Sequence, residues 1–435
     1  GGVLVAKIFV AGVVTTALLS AVFVPTASNA ITLRDELSGV LTSHPRLKAE
    51  KARAAAAQAQ VRRAFSGFLP KLSLTGDVGP EYIDSPANSS STRMNRRKTT
   101  LTLTQNVFDG FRTPETHNSA LLSEVVARQR LDATQQTLLL EGITAYHDIL
   151  RQSRMIVIAR VNETAIRTQL QLEDERVRRG GGIAVDVLLA KTRLQLARER
   201  TVQLRGALAE ANARYMQVFG HAATPSEMKD PKLGLGALPN DIETAAATSN
   251  STNPSLLASK SEAEIAARSV AVAKSDYYPK IDLVALGNRE NDVDSVKGVR
   301  REWSVLLKAT WELFSGFGTT ASVTAAAREK AAAQDTYQYN RRKVDEELRI
   351  TWEQLQTARE RVQLLSNAAV IAEEVHLARK RLRDSGKETA INVLDAQTEL
   401  FSARMNAIGA KFDAEVAAFR VLFAMGMLTP KTLGL

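Results

Sequence analysis

Apolar and small residues recur at alternating spacings of four and three through Val344, Leu348, Thr351, Leu355, Ala358, Val362, Leu365, Ala369 and Ala372. This heptad seam predicts a long helix packed in coiled-coil fashion, close to its neighbours wherever the seam residue is small. Proline limits where such helices can run, because it breaks a helix interior. None lies between Pro114 and Pro225, or between Pro279 and Pro430, gaps of 110 and 150 residues. Thr113 to Gly180 and Thr319 to Gly386 are each 68 residues, and as unbroken helix each would be roughly 100 Å long. No ordinary globular domain holds helices of that length. The chain then turns at Gly180 and Gly386, and second long helices are predicted over about 186–219 and 391–424.

Upstream of each long helix the period changes to two. Leu72, Leu74 and Val78 alternate with Lys71, Ser73, Thr75 and Asp77, and Leu101, Leu103 and Val107 alternate with Thr100, Thr102, Thr104 and Asn106. Trp303, Val305, Leu307, Ala309, Trp311 and Leu313 likewise oppose Ser304, Lys308, Thr310 and Glu312. These stretches predict two hairpins, over about 71–108 and 280–314, with strands of about ten residues, the length of a tilted membrane strand. In the third strand Ile281 and Leu283 oppose Asp282, but Val284 and Leu286 break the alternation. The polar connections Asp84-Ser-Pro-Ala-Asn-Ser-Ser-Ser-Thr92 and Arg289-Glu-Asn-Asp-Val-Asp-Ser295 read as turns.

The two halves are copies of one unit. His44-Pro45 to Leu69-Pro70 matches Asn253-Pro254 to Tyr278-Pro279 at an offset of 209. The segment from Thr100 to Phe111 matches Leu306 to Phe317, and Gly180 to Leu194 matches Gly386 to Leu400, both at an offset of 206. Three collinear matches indicate an internal duplication. Repeat 1 is expected over residues 31–240 and repeat 2 over 241–435, each ordered helix, hairpin, long helix, turn, long helix.

Composition narrows the chemistry. There is no cysteine, which excludes disulfides, thiolate metal sites and thiol catalysis and suits an oxidising compartment. His44, His117, His147, His221 and His376 are scattered without metal-ligand spacing. The net charge of +10 raises nucleic acid as a partner. However, bases alternate with acids, as in Glu173-Asp-Glu-Arg-Val-Arg-Arg179, which reads as a solvated helix surface and not a nucleic-acid patch. No triad or Gly-rich phosphate loop appears, since Gly180-Gly-Gly182 lacks the following Lys-Ser/Thr, and no cofactor is implied. Residues 1–30 read as a secretory signal: Lys7, an apolar run from Ile8 to Val24, Pro25, and small residues up to Ala30, after which cleavage is expected. The competing reading is a membrane anchor, for which the run is short.

Aromatics bracket the hairpins. Phe65, Phe68, Phe108 and Phe111 lie at the helix-side end of the first, and Tyr277, Tyr278, Phe314 and Phe317 at that of the second. Tyr82 and Trp303 lie toward the loops, and Trp303 to Trp311 spans roughly 26 Å of strand, close to the apolar band of an outer-membrane barrel. A soluble β-sandwich with core aromatics is the plainer alternative, and a soluble periplasmic coiled-coil adaptor would share the helices but not the girdled strands. Four strands cannot close a barrel, and open strand edges are not tolerated in lipid, so several copies must share one.

The paired Asn/His-Pro…Pro blocks, the Phe-x-Gly-Phe strand ends and the Gly…Asp/Asn-Val-Leu-x-Ala-x-Thr-x-Leu turns resemble the TolC family of outer-membrane efflux proteins. The resemblance runs from about Leu33 to Leu428. It implies an α+β membrane protein in which a homotrimer shares a 12-stranded β-barrel, continued by an α-helical coiled-coil barrel in the periplasm. It also implies a periplasmic adaptor and an inner-membrane ABC or RND-type transporter as partners. The segments around Gly220 to Asn250 and after Phe423 would form a belt outside the tunnel. Gln105 to Arg112 is similar to members serving type I protein secretion. The turns at Gly180 and Gly386 would then form the periplasmic mouth. Matched residue by residue, one acidic constriction position is kept as Asp395 and the other is Asn392. A family tyrosine link position is Arg383, with Asp186 as its acidic partner. The family's linking arginine position is Glu388, opposite Val185, so that link is lost. The plainer reading of these residues is solvated turn charge.

Overall fold

The computed structural model describes residues 31–84, 86, 91–231, 233–234, 236 and 238–435. The expected leader lies outside the described residues, as does most of the turn between the first two strands.

Each half opens with two helices that meet at a proline. In the first half these are α1 (Leu33–Ser43) and α2 (Pro45–Phe65). Proline lacks a backbone N–H, so it suits the first position of α2, where no intrahelical partner exists. The His44 ring caps that helix by accepting from the Arg46 N–H. In the second half Asn253 does the same between α5 (Ile242–Thr252) and α6 (Pro254–Lys274), accepting from the N–H groups of Ser255 and Leu256. Both α2 and α6 end in a short 3-10 turn, Ser66–Phe68 and Ser275–Tyr277.

Four strands follow these turns, β1 (Lys71–Ile83), β2 (Thr92–Phe108), β3 (Lys280–Val293) and β4 (Val296–Thr310). They form one antiparallel sheet in the order β1-β2-β3-β4, so β1 and β4 each keep a free edge. Along β2 the odd-numbered residues from Arg93 to Leu101 are exposed and the even-numbered ones half-buried. Among the described residues no helix packs on either face there, so the difference reflects a sheet curved toward its even-numbered side. Strands of 13, 17, 14 and 15 residues are longer than the ten expected. The extra length lies toward the loops, where polar alternation on both faces looked like turn. Val284 and Leu286 do not interrupt β3. They sit on the inner face, opposite Thr104 and Thr102 on one side and Leu306 and Ser304 on the other.

The long helices are α3 (Arg112–Arg178), α4 (Ala184–Phe219), α7 (Gly318–Asp384) and α8 (Ala390–Ala424), and a short α9 (Pro430–Leu433) ends the chain. Strand passes to helix through two consecutive left-handed residues, Gly110-Phe111 and Gly316-Phe317, with φ between +61° and +68°. Glycine adopts this conformation at no cost, whereas for phenylalanine it is strained.

Midway along the helices lies the main core, where Leu37, Ile143, Tyr146, Tyr215, Phe419 and Leu422 are buried together. The Tyr146 hydroxyl donates to the carbonyl of Lys229 at 2.7 Å and lies 3.1 Å from that of Ile31. Ile31 and Lys229 are themselves joined, the Lys229 N–H donating to the Ile31 carbonyl at 3.1 Å. The segment after α4 is thereby strapped to the outside of the helices. Among the described residues, no helix is long and apolar enough to cross a membrane.

Candidate functional site

The sheet presents two different faces. On the inner face, charges come in pairs: Arg96 with Asp77 at 2.7 Å and Glu81 at 3.1 Å, Lys98 with Glu290 at 2.9 Å, and Arg300 with Glu290 at 3.1 Å. The outer face near the helices is apolar, with Leu72, Leu103, Ala285 and Val305 in one cross-strand row and Leu74, Leu101, Gly287 and Trp303 in the next. An apolar outer band over a polar, ion-paired interior inverts the arrangement of a soluble barrel and matches a wall between lipid and water.

The aromatic residues fall into two groups. At the helix-side end, Phe108, Phe111 and Tyr278 stack edge to face, with ring centroids 5.4–6.5 Å apart, and Phe314 and Phe317 do the same at 5.6 Å. Trp311 lies just past the end of β4, and its Nε1 donates to the Tyr277 carbonyl at 3.1 Å. Away from the helices, Tyr82 is the last residue but one of β1 and is exposed. Trp303, 81% exposed, sits opposite Gly287 in mid-strand and not at the loop, so the wall continues seven residues beyond it to Val296.

At the opposite end of the helices, both turns are built the same way. The N–H of Gly180 donates to the Val177 carbonyl and that of Gly181 to Arg176; the N–H of Gly386 donates to Arg383 and that of Lys387 to Leu382. This paired closure requires a left-handed residue after the helix end, supplied by Gly180 and Gly386, both at φ +78°. It fixes where each returning helix starts, and so where the tip side chains fall.

The link position Arg383 is not bonded to Asp186. Its guanidinium donates to both carboxylate oxygens of Glu173, at 2.7 and 2.8 Å, and to the Glu388 carbonyl at 3.1 Å. Asp186, half-buried in the first turn of α4, forms no ion pair among the described residues. Asp395 is exposed and accepts from Arg193 of α4 at 2.8 Å. Asn392 donates to the Glu388 carboxylate. Glu173, expected on a solvated helix surface, is instead 2% exposed and also receives the Gln169 amide at 3.0 Å. The available signal was its place on the stripe Ile166, Leu170, Glu173, Val177, whose spacings of four, three and four put a carboxylate on the packed face of α3. Among the described residues no group of histidine and acidic side chains could hold a metal ion.

Comparison with known proteins agrees with this geometry. The family model described as Outer membrane efflux protein matches residues 37–221 and 247–427, one match to each half. The chain is 25% identical to the outer membrane efflux protein BepC of Brucella suis, over 77% of this chain and 73% of that one. It is 23% identical to the alkaline protease secretion protein AprF of Pseudomonas aeruginosa, over 76% and 69%. The solved structure of the outer membrane protein VceC from Vibrio cholerae superposes with a TM-score of 0.80 at 16% identity, covering 91% of this chain and 96% of VceC. With the duplicated halves, the four-stranded wall and the long helices all accounted for, this chain belongs to the outer membrane efflux protein family: a non-enzymatic transport protein of the outer membrane with a helical periplasmic extension.

Proposed function

We propose that three copies of this chain close one 12-stranded barrel and one helical tunnel, forming the exit duct of a tripartite export machine. A periplasmic adaptor and an inner-membrane ABC or RND-type transporter would supply cargo and energy, since the duct has no means of its own to do so. The observation that carries this reading is the sheet's two free edges. Unpaired backbone groups cannot face lipid, so β4 of one copy must pair with β1 of the next. The internal duplication supports it, because contacts between the two halves supply a pattern for contacts between copies. Likeness to the alkaline protease secretion protein favours a secreted protein over a drug as cargo. The leader would be removed after Ala30, leaving Ile31, whose N–H donates to the Glu227 carbonyl, as the first residue.

The test is light scattering of detergent-extracted protein, followed by planar-bilayer recording. A trimer that resists mild SDS and conducts is the expected result. A monomer retaining its strand content would sink the proposal and favour the adaptor reading. Cargo is decided separately, by deleting the gene and assaying both secreted-protein export and drug susceptibility.

A further inference from the structure

Charges on the two faces of the sheet are distributed unequally. The inner face mixes acids and bases and pairs them. The outer face carries Arg93, Arg97, Arg289 and Arg301, and none of the outward-pointing positions in the regular register of the strands is acidic. Among the described residues none of these four arginines has an ion-pair partner. Glu290 and Glu302, next in sequence to Arg289 and Arg301, point inward, where both are bonded to Arg300. Arg289 and Arg301 are also directly opposite each other in the register of β3 and β4. Like charges so placed repel unless an anion lies between them.

Their height on the wall identifies the anion. The Arg289–Arg301 row follows the Leu101–Gly287–Trp303 row, two residues farther from the helices, or roughly 7 Å along the strands. Arginine thus begins where the continuous apolar rows end and become mixed, with Val78 and Val299 still facing outward one row farther, at the level of lipid headgroups and on the leaflet away from the periplasmic helices. A groove of about 380 Å³ joins the two levels, lined by Thr99, Arg289 and Arg301 at one end, by Leu101, Gly287 and Trp303 at the other, and also by Asn288 and by Glu302, whose carboxylate is bonded to Arg300. Gly287 opens it: a Cβ there would meet no atom within 4 Å.

We propose that this groove binds the phosphorylated headgroup of an outer-leaflet lipid, with Arg289 and Arg301 clamping a phosphate and an acyl chain lying over Gly287 against Trp303. Guanidinium groups suit this role because their planar fork donates two parallel hydrogen bonds to phosphate. The inference rests on the outer face of the sheet meeting lipid, and it adds a specific ligand to that surface.

Native mass spectrometry of the detergent-extracted full-length protein, titrated with bis-phosphorylated hexa-acyl lipid A, tests it. Arg289→Gln/Arg301→Gln removes the clamp and relieves repulsion, so folding is preserved. Gly287→Leu fills the groove without touching either arginine. Each variant should weaken lipid A binding at least tenfold, and dephosphorylated lipid A should bind wild type as weakly. Equal binding by the variants, equal binding of dephosphorylated lipid, or full competition by millimolar inorganic phosphate would each overturn the proposal. A conducting trimer that makes none of these distinctions overturns the lipid site alone. Failure of wild type to form a trimer overturns the barrel reading, and the site with it.

Discussion

Arg383 ties α7 to α3 through Glu173, and removing either partner strands a charge away from water. Breaking such a buried pair costs about 3–5 kcal/mol, far more than the ~1 kcal/mol of an exposed link. Glu173→Gln is therefore expected to loosen the tip and raise single-channel conductance in planar bilayers, while Asp186→Ala leaves it at the wild-type level. The reverse result would show that Asp186 bonds Arg383 across copies and that Glu173 only fills space. A second residue-scale prediction concerns Tyr146. Burial pushes its phenol up to about 12, from an ordinary value of about 10. A raised folded pKa means the stabilisation is complete below pH ~10 and lost as pH climbs through about 12. Thermal melts should therefore fall steeply over that window. Tyr146→Phe should flatten the fall and lower stability by about 1 kcal/mol at pH 8, where the hydroxyl's hydrogen bond is lost. Tyr215, likewise raised by burial and by nearby Glu36, would keep part of the alkaline step. Neither role was legible in the sequence. Glu173 stands in a run of charges, and only its position on the packed stripe separates it from its solvated neighbours.

At the level of elements, proline placement made the helices readable, because a gap of 150 residues without proline leaves few alternatives to helix. The turns were readable for a related reason: a glycine directly after a long helix, as at Gly180 and Gly386, marks a left-handed closure. Replacing Gly386 or Gly180 by Ala should cost about 1–2 kcal/mol, because a side chain with a Cβ strains at positive φ. Asn, which tolerates that conformation, should cost less. Amide exchange at the tip distinguishes the two substitutions at each site, and equal protection in Ala and Asn would refute the account. Strand ends were harder to read. Past Trp303 the outer face turns from apolar to basic, so the alternation of hydrophobicity stops although the strands continue. Hydrogen bonding between neighbours sustains them there, and that is not written in the composition of any one segment.

For the whole molecule, the duplication gives a comparison within one chain. A Cβ on Gly110 would lie 2.5 Å from the Ser275 carbonyl, whereas one on the equivalent Gly316 would meet nothing within 4 Å. Phe314 and Phe317, beside that open glycine, are each 74% exposed. If the Ser66 turn of a neighbouring copy covers Gly316 as the Ser275 turn covers Gly110, then Gly316→Asn should abolish the SDS-resistant trimer as thoroughly as Gly110→Asn does. A stable Gly316→Asn trimer would mean that the two interfaces differ. The number of copies was not legible from open edges alone, because they require closure without counting the subunits. The same joints also have a mechanical consequence. Seven residues, 311–317, ending in the left-handed pair Gly316 and Phe317, connect the last strand to a helix of 67 residues, about 100 Å of unbroken rod. Rotation by five degrees at such a pivot sweeps the far end through roughly 9 Å. The mouth could therefore dilate by an amount that hardly registers at the membrane, with the strained Phe111 and Phe317 acting as stiff springs at the fulcrum.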